Sequence, residues 1–226
     1  ALDWALQFQP NEALKMAASL GDYWFYGGHF TEGSDYLERA LQGGECPRAY
    51  LWSGRLHQAM GDYSSAQTEF GKSAQLSEEP LDQARALNAR AQAGFTQADY
   101  GGSKHFAESS LDLWRQEGNR RGEVDTLSLL ATAEICLGEW EAASLHLNEA
   151  SEVCRQQAYQ WGSSVVVYLR GLLALYQGRN NEAHSFLTES LEQCRALVNP
   201  PRTAVCLGNL GLCLLAQGKS KEAETV

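Results

Sequence analysis

The stretch Gly54-Arg55-Leu56-His57-Gln58-Ala59-Met60-Gly61-Asp62-Tyr63-Ser64-Ser65-Ala66 decides how this chain folds. A small residue is followed by six residues of helical character and a second small residue. An aromatic residue stands two further on, and a small one three beyond that. The same sentence recurs as Gly21…Gly28-His29-Phe30…Gly33, Ala91…Ala98-Asp99-Tyr100…Ser103 and Ala131…Gly138-Glu139-Trp140…Ala143. It returns twice more, as Gly171…Gly178-Arg179-Asn180…Ala183 and Gly211…Gly218-Lys219-Ser220…Ala223. The second small residue falls at 28, 61, 98, 138, 178 and 218, so the period is 33 to 40 residues. Such a period specifies stacked units that bury a continuous core against their neighbours, not one compact core.

Each unit reads as two antiparallel helices, because apolar residues recur at three- and four-residue steps. First helices are expected near 12–27, 47–60, 81–97, 121–137, 161–177 and 201–217. Second helices are expected near 30–42, 63–76, 103–117, 140–157 and 180–197, with a stub from 220. The units then run 11–43, 46–77, 80–118, 120–158, 160–198 and 200–226. Pro10, Pro47, Pro80, Pro200 and Pro201 fall between units, where the missing N–H of a helix's first turn is no loss. The glycines at 21, 54, 171 and 211 lie inside helices, at a cost of about 1 kcal/mol each relative to alanine. Close approach of the partner helix offsets that cost, with Ala66, Ala143 and Ala183 completing the contact. The third unit departs from the pattern: Ala98 replaces the turn glycine and Gly101-Gly102 follow it, which predicts a looser turn.

With 18 basic and 28 acidic residues, the net charge of −10 disfavours both nucleic acid and anionic membrane as partners. No signal peptide is visible, and the longest apolar stretch, Ala204 to Ala216, is too short to span a bilayer. Six cysteines without a Cys-x-x-Cys pair suit a reducing cytoplasm. Cys136, Cys194, Cys206 and Cys213 fall in apolar helical patterns and are expected to be buried. The helix-like opening Ala1-Leu2-Asp3-Trp4 lacks Met, and Val226 falls one turn into a helix, so the chain reads as a piece of a larger protein.

Catalytic and cofactor signals are weak. Gly71-Lys72-Ser73 and Gly218-Lys219-Ser220 lack the earlier glycine of a phosphate loop, having Ala66 and Cys213 there, and both sit on helices or helix turns. No two of His29, His57, His105, His146 and His184 are spaced i, i+4, so no helix presents a metal pair, and each reads as a surface or satisfied histidine. No Gly-x-Ser-x-Gly elbow occurs. The tryptophans read mostly as core or inter-repeat wedges, with Trp161 partly exposed. The expectation is a non-enzyme without metal or cofactor.

The repeated pattern, best matched at Tyr63, Ala66 and Phe70, resembles the tetratricopeptide repeat; Asn180 and Ser220 depart from its aromatic turn position. The resemblance implies an all-α, right-handed superhelix of antiparallel helix pairs whose concave face, built from first helices, binds peptides or proteins. Transferring the concave positions gives Arg48, Arg55, Arg85, Asn88, Gln92 and Phe95 early in the chain, and Ser128, Thr132 and Tyr168 later. Arginines on an otherwise acidic protein suit an acidic or carboxylate-bearing peptide, because the guanidinium pairs carboxylates bidentately. A narrower resemblance rests on Tyr23-Trp24-Phe25-Tyr26-Gly27-Gly28-His29-Phe30-Thr31-Glu32-Gly33 and on Gly118-Asn119-Arg120-Arg121-Gly122. These are similar to the sensor repeats of bacterial multidomain signalling ATPases, including LuxR-type and MalT-like transcription regulators. A rival expectation is a self-association scaffold, a homodimer formed through the apolar face of Ala204–Leu215.

Overall fold

The structure is a computed structural model and describes residues 1–225. Among them the chain is helical throughout, with no strand: α1 (Leu2–Phe8), α2 (Pro10–Tyr26), α3 (Phe30–Leu41), α4 (Pro47–Ala59), α5 (Tyr63–Leu76), α6 (Pro80–Thr96), α7 (Tyr100–Gln116), α8 (Arg120–Leu137), α9 (Trp140–Gln157), α10 (Gln160–Tyr176), α11 (Asn180–Ala196), α12 (Pro200–Ala216) and α13 (Ser220–Ala223). The chain is all-α and built from tandem antiparallel helix pairs. It divides into two compact units, Ala1–Gly118 and Asn119–Val226.

In the first unit, α2, α4 and α6 lie side by side, and each packs against the second helix that follows it. Leu14, Trp24, Leu37, Trp52 and Leu56 form one core, and Phe70 with Ala66, Ala89 and Ala93 a second. In the other unit, α8, α10 and α12 alternate with α9 and α11 in the same manner. Burying a large apolar side chain contributes about 1.5–3 kcal/mol, so these wedges supply most of the cohesion between helices.

Prolines open α2, α4, α6 and α12. Asp62, Asp99, Asn119 and Asn199 cap α5, α7, α8 and α12 by accepting a backbone N–H three residues on. The third unit does not loosen. Ala98 adopts the left-handed conformation itself, at φ 60°, and α7 starts at Tyr100, not 103. The Gly102 N–H donates to the Asp99 carboxylate at 2.9 Å, and a Cβ at 102 would stand 2.1 Å from that carboxylate. The double glycine therefore belongs to a tight cap.

Two of the in-helix glycines, Gly54 and Gly171, seat their partner helix; at Gly21 the Cβ site is filled instead by Trp52 of α4, the next first helix, and at Gly211 the partner approaches no nearer than 4.0 Å among the described residues. A Cβ on Gly54 would lie 2.5 Å from the Phe70 ring, and one on Gly171 2.8 Å from Leu187. The side chain that fills each site is the large residue one turn beyond Ala66 or Ala183, because the second helix leans its bulk back over the crossing. Three serines add a polar clamp. Ser73, Ser110 and Ser190, on α5, α7 and α11, donate to the carbonyls of Pro47, Ala84 and Ser164, at 2.8, 2.8 and 3.0 Å. Donor and acceptor are 26 residues apart each time and occupy the same place in the repeat.

Cysteine and tryptophan burial differs from expectation at several positions. Cys194, Cys206 and Cys213 are buried, but Cys136 is exposed, one residue beyond the inward-facing Ile135 on α8. Trp24, Trp52 and Trp114 are core wedges, whereas Trp4, Trp140 and Trp161 are exposed.

Candidate functional site

Arg48, Leu51, Trp52 and Arg55 are spaced three, one and three residues along α4, so helical geometry places them on one side. Asp82 and Arg85 stand one turn apart near the start of α6, the first helix of the next repeat. With Ser73 and Ser77 from the end of α5, these residues line a groove of about 480 Å³ inside the first unit. The three arginines expected from sequence are therefore brought together.

Their electrostatic situations differ. Arg85 donates to Asp82 at 2.6 Å, a pair within one helix. Arg48 faces Asp22 of α2 at 3.9 Å. Both pairs are solvent-exposed, so each is worth a fraction of a kcal/mol and exchanges readily for another carboxylate. Arg55 is half-buried, and among the described residues no carboxylate lies within ion-pair distance of it. Its guanidinium sits 4.9 Å from the centre of the Trp52 ring, a cation–π contact that fixes the head without neutralising it. Burial, reinforced by the positive charge of Arg85, lowers its pKa against the opposing influence of Tyr26 and Asp22. An arginine remains charged at neutral pH all the same. Two carboxylates against three guanidiniums leave the groove with one net positive charge, concentrated at Arg55.

Asn88, Gln92 and Phe95 continue the Arg85 side of α6 at steps of three, four and three. Gln92 is exposed; Asn88 and Phe95 are half-buried, and the Phe95 ring packs 5.3 Å from Tyr100 on α7. The other three expected residues lie in the second unit, on α8 and α10. Ser128 is buried and donates to the Val124 carbonyl, and Thr132 donates to the Ser128 carbonyl. Tyr168 is buried; its hydroxyl accepts from Asn209 at 3.1 Å, and Arg202 lies over its ring. These three polar groups are engaged in structure.

Sequence reasoning placed Trp52 among the core wedges and missed that its ring also floors the Arg55 site. It missed the screening by Asp82 too, although an acid one turn before Arg85 was a visible signal. Lys72 of the Gly71-Lys72-Ser73 tripeptide pairs with Glu69 in mid-helix and lies over Tyr50, which leaves no phosphate loop there. His146 is satisfied by Glu134. Among the described residues, no group of three or more His, Cys, Asp or Glu is arranged to hold a metal ion, and no helix is long and apolar enough to cross a membrane.

Comparison with known proteins bears on the repeats. Two family models, each described as tetratricopeptide repeat, match residues 164–226 and 47–80. No curated protein matches the chain. Among solved structures, a Rap protein complexed with competence and sporulation factor is similar, with a TM-score of 0.80 and 16% identity over 95% of this chain. The match spans 63% of that Rap protein, so this chain corresponds to somewhat less than two thirds of its length. Aspartyl phosphate phosphatase F from Bacillus subtilis is similar at a TM-score of 0.75 and 13% identity, over 95% of this chain and 57% of its own. The pilF protein of Pseudomonas aeruginosa is similar at 0.64 and 15% identity, over 96% and 98%. At these identities the likeness shows the fold: this is a tandem helix-pair chain of tetratricopeptide-repeat type.

Proposed function

We propose that the chain is a protein-interaction module that captures an acidic or carboxylate-bearing segment of a partner in the α4–α6 groove of its first unit. In this reading it is the sensor or scaffold part of a bacterial signalling or transcription-regulatory protein, and binding in place of catalysis is its task. The observation that carries it is the convergence of Arg48, Arg55 and Arg85 on one groove, with Arg55 unneutralised, in a protein of net charge −10. An incoming carboxylate displaces the weak Asp22 and Asp82 pairs and meets an ordered guanidinium already stripped of part of its water. The similar Rap protein, solved with competence and sporulation factor, adds support by analogy of fold alone.

Calorimetric titration with an oligoglutamate peptide, and with its oligoglutamine counterpart, tests this. The glutamate peptide binds and the glutamine peptide does not. Arg55→Ala weakens binding by about tenfold or more, and Arg48→Ala and Arg85→Ala weaken it less, since each has a carboxylate of its own. Equal binding to the triple alanine variant rejects the groove.

A second reading has its own support. Val205, Leu212 and Leu215 on α12 are 45%, 57% and 53% exposed, an apolar stripe that self-association would cover. Light scattering over a concentration series separates the two readings: a strictly monomeric chain counts against the scaffold.

A further inference from the structure

A cavity in the second unit lies on the side of the second helices. There α9 and α11 each pack on α10 more than on one another. Between them, above α10, opens a cleft of about 760 Å³, within the size range of small-molecule sites. Its floor includes Arg170, and its walls include Glu152, Arg155, Tyr159, Gln193 and Leu197.

Arg170 is out of character for its position. It immediately precedes the small residue of the helix crossing, Gly171. The same position in the two flanking repeats of this unit holds Leu130 and Leu210, which are 1% and 5% exposed. At the matching place in the first unit, Arg90 is covered by the Phe106 ring, 4.0 Å from its guanidinium. Arg170 has no such cover. Its Nη2 donates to Asn148 Oδ1 at 2.8 Å, a neutral contact that orients the head without cancelling its charge. Among the described residues it makes no ion pair, and its Nε and Nη1 donate to no protein acceptor.

The rest of the lining is balanced. Arg155 is bound through two nitrogens to Glu152, so that pair contributes no net charge. A net positive charge at Arg170 remains. Gln193 brings a second unmet demand: its Oε1 is buried with no hydrogen-bond partner among the described residues, while its Nε2 donates to Glu189. A buried acceptor left unmade is costly, and a donor on a bound molecule that reached it by a small shift of the Gln193 side chain would recover that cost. Tyr159, Ala196 and Leu197 supply apolar wall.

We propose that this cleft is a binding site for a small organic carboxylate carrying an apolar group and a hydrogen-bond donor. The carboxylate lies on Arg170, the donor faces Gln193, and the apolar body rests against Tyr159 and Leu197. The site shares no residue with the α4–α6 groove, and it takes a small molecule where that groove takes a segment of a partner protein.

The probes are N-acetyl-tryptophan, which has all three features, and N-acetyl-tryptophanamide, which lacks only the charge. Calorimetric titration of the full chain is expected to show one site for the acid, with the amide at least about tenfold weaker. Arg170→Leu, which installs the residue of the flanking repeats, abolishes the preference for the acid; Arg170→Lys keeps part of it. Melting curves establish that the variants fold. Should Arg170→Leu fail to fold, Arg170→Gln takes its place and is held to the same outcome. Arg55→Ala leaves N-acetyl-tryptophan binding intact, and Arg170→Leu leaves oligoglutamate binding intact, so failure here and failure of the peptide groove are read separately. Equal affinity of acid and amide, undiminished binding of the acid to the Arg170 variant, or no saturable binding up to about 1 mM overturns the proposal.

Discussion

His146 on α9 donates through Nδ1 to the carboxylate of Glu134 on α8, 2.8 Å away, and that glutamate is fully buried. The two helices are consecutive, so this contact joins a helix pair across its interface. Removing a partner from a buried carboxylate costs more than the hydrogen bond itself, because the charge keeps its desolvation penalty. His146→Ala is therefore expected to destabilise the second unit by about 1–3 kcal/mol. Glu134→Gln lowers the penalty of a second change at His146, giving a coupling near 1 kcal/mol in a double-mutant cycle. Urea unfolding of the four proteins checks this, and strictly additive effects contradict it.

The crossing glycines give a prediction of opposite sign at equivalent positions. Gly54→Ala drives a methyl group into the Phe70 ring, where it would stand at 2.5 Å, and overpacking of this kind costs about 1–3 kcal/mol. Gly211 occupies the same repeat position, but among the described residues nothing approaches its Cβ site more closely than the Ala223 carbonyl at 4.0 Å. Gly211→Ala thus gains only the helix preference of alanine, about 1 kcal/mol. Denaturant midpoints that move in the same direction for both variants refute this account.

Ala158 and Val198 both hold left-handed backbone, at φ 49° and 51°, in the connections after α9 and α11. Val198 is 83% exposed, so its side chain gains little from packing to offset the strain. Branched residues resist this conformation most. Val198→Gly is expected to stabilise the chain by about 1 kcal/mol and Ala158→Gly by less, measured as a rise in unfolding midpoint.

Asp62 gives a pH dependence with a defined sign. Hydrogen bonds from the Ser65 side chain and from its backbone N–H hold this carboxyl below the usual range. A depressed folded-state pKa stabilises the fold above the unfolded value, near 3.9, and that stability drains away as pH falls through the folded value. An asparagine at this position would cap as well without titrating. Between pH 5 and pH 2, Asp62→Asn should therefore lose less melting temperature than the wild type; parallel curves show that the cap is not titrating.

Asp22 tempers the groove by facing Arg48 at 3.9 Å. Asp22→Asn frees that guanidinium and removes a competing carboxylate. Oligoglutamate should then bind more tightly, and the gain should shrink as salt is added. A salt-independent change would assign the effect to packing.

The six-fold pattern by itself determined the helix pairs, their turns and their order, because a helix crossing needs a small residue and a helix end needs a left-handed one. Those are local demands, legible at Gly54, Gly61 and Tyr63. That Arg48, Arg55 and Arg85 share one face was implied by the resemblance to the tetratricopeptide repeat, whose concave positions they occupy, and the structure lines one groove with all three. Neighbours in space but not in sequence were decided by tertiary structure alone. It seated Phe70 and Leu187, not the alanines, on the glycines, and paired Ser110 with the Ala84 carbonyl. It matched Arg48 with Asp22 and left Arg55 unneutralised, whereas the Arg85–Asp82 pair, one turn apart on α6, was legible in the sequence. It also turned Tyr168 and Ser128 inward. The physical reason is that periodicity fixes which side of a helix a residue occupies, whereas the partner it meets there depends on how far and at what angle the next helix lies. The cleft over Arg170 belongs to this second class, since only the gap between α9 and α11 exposes a charge where neighbouring repeats bury a leucine.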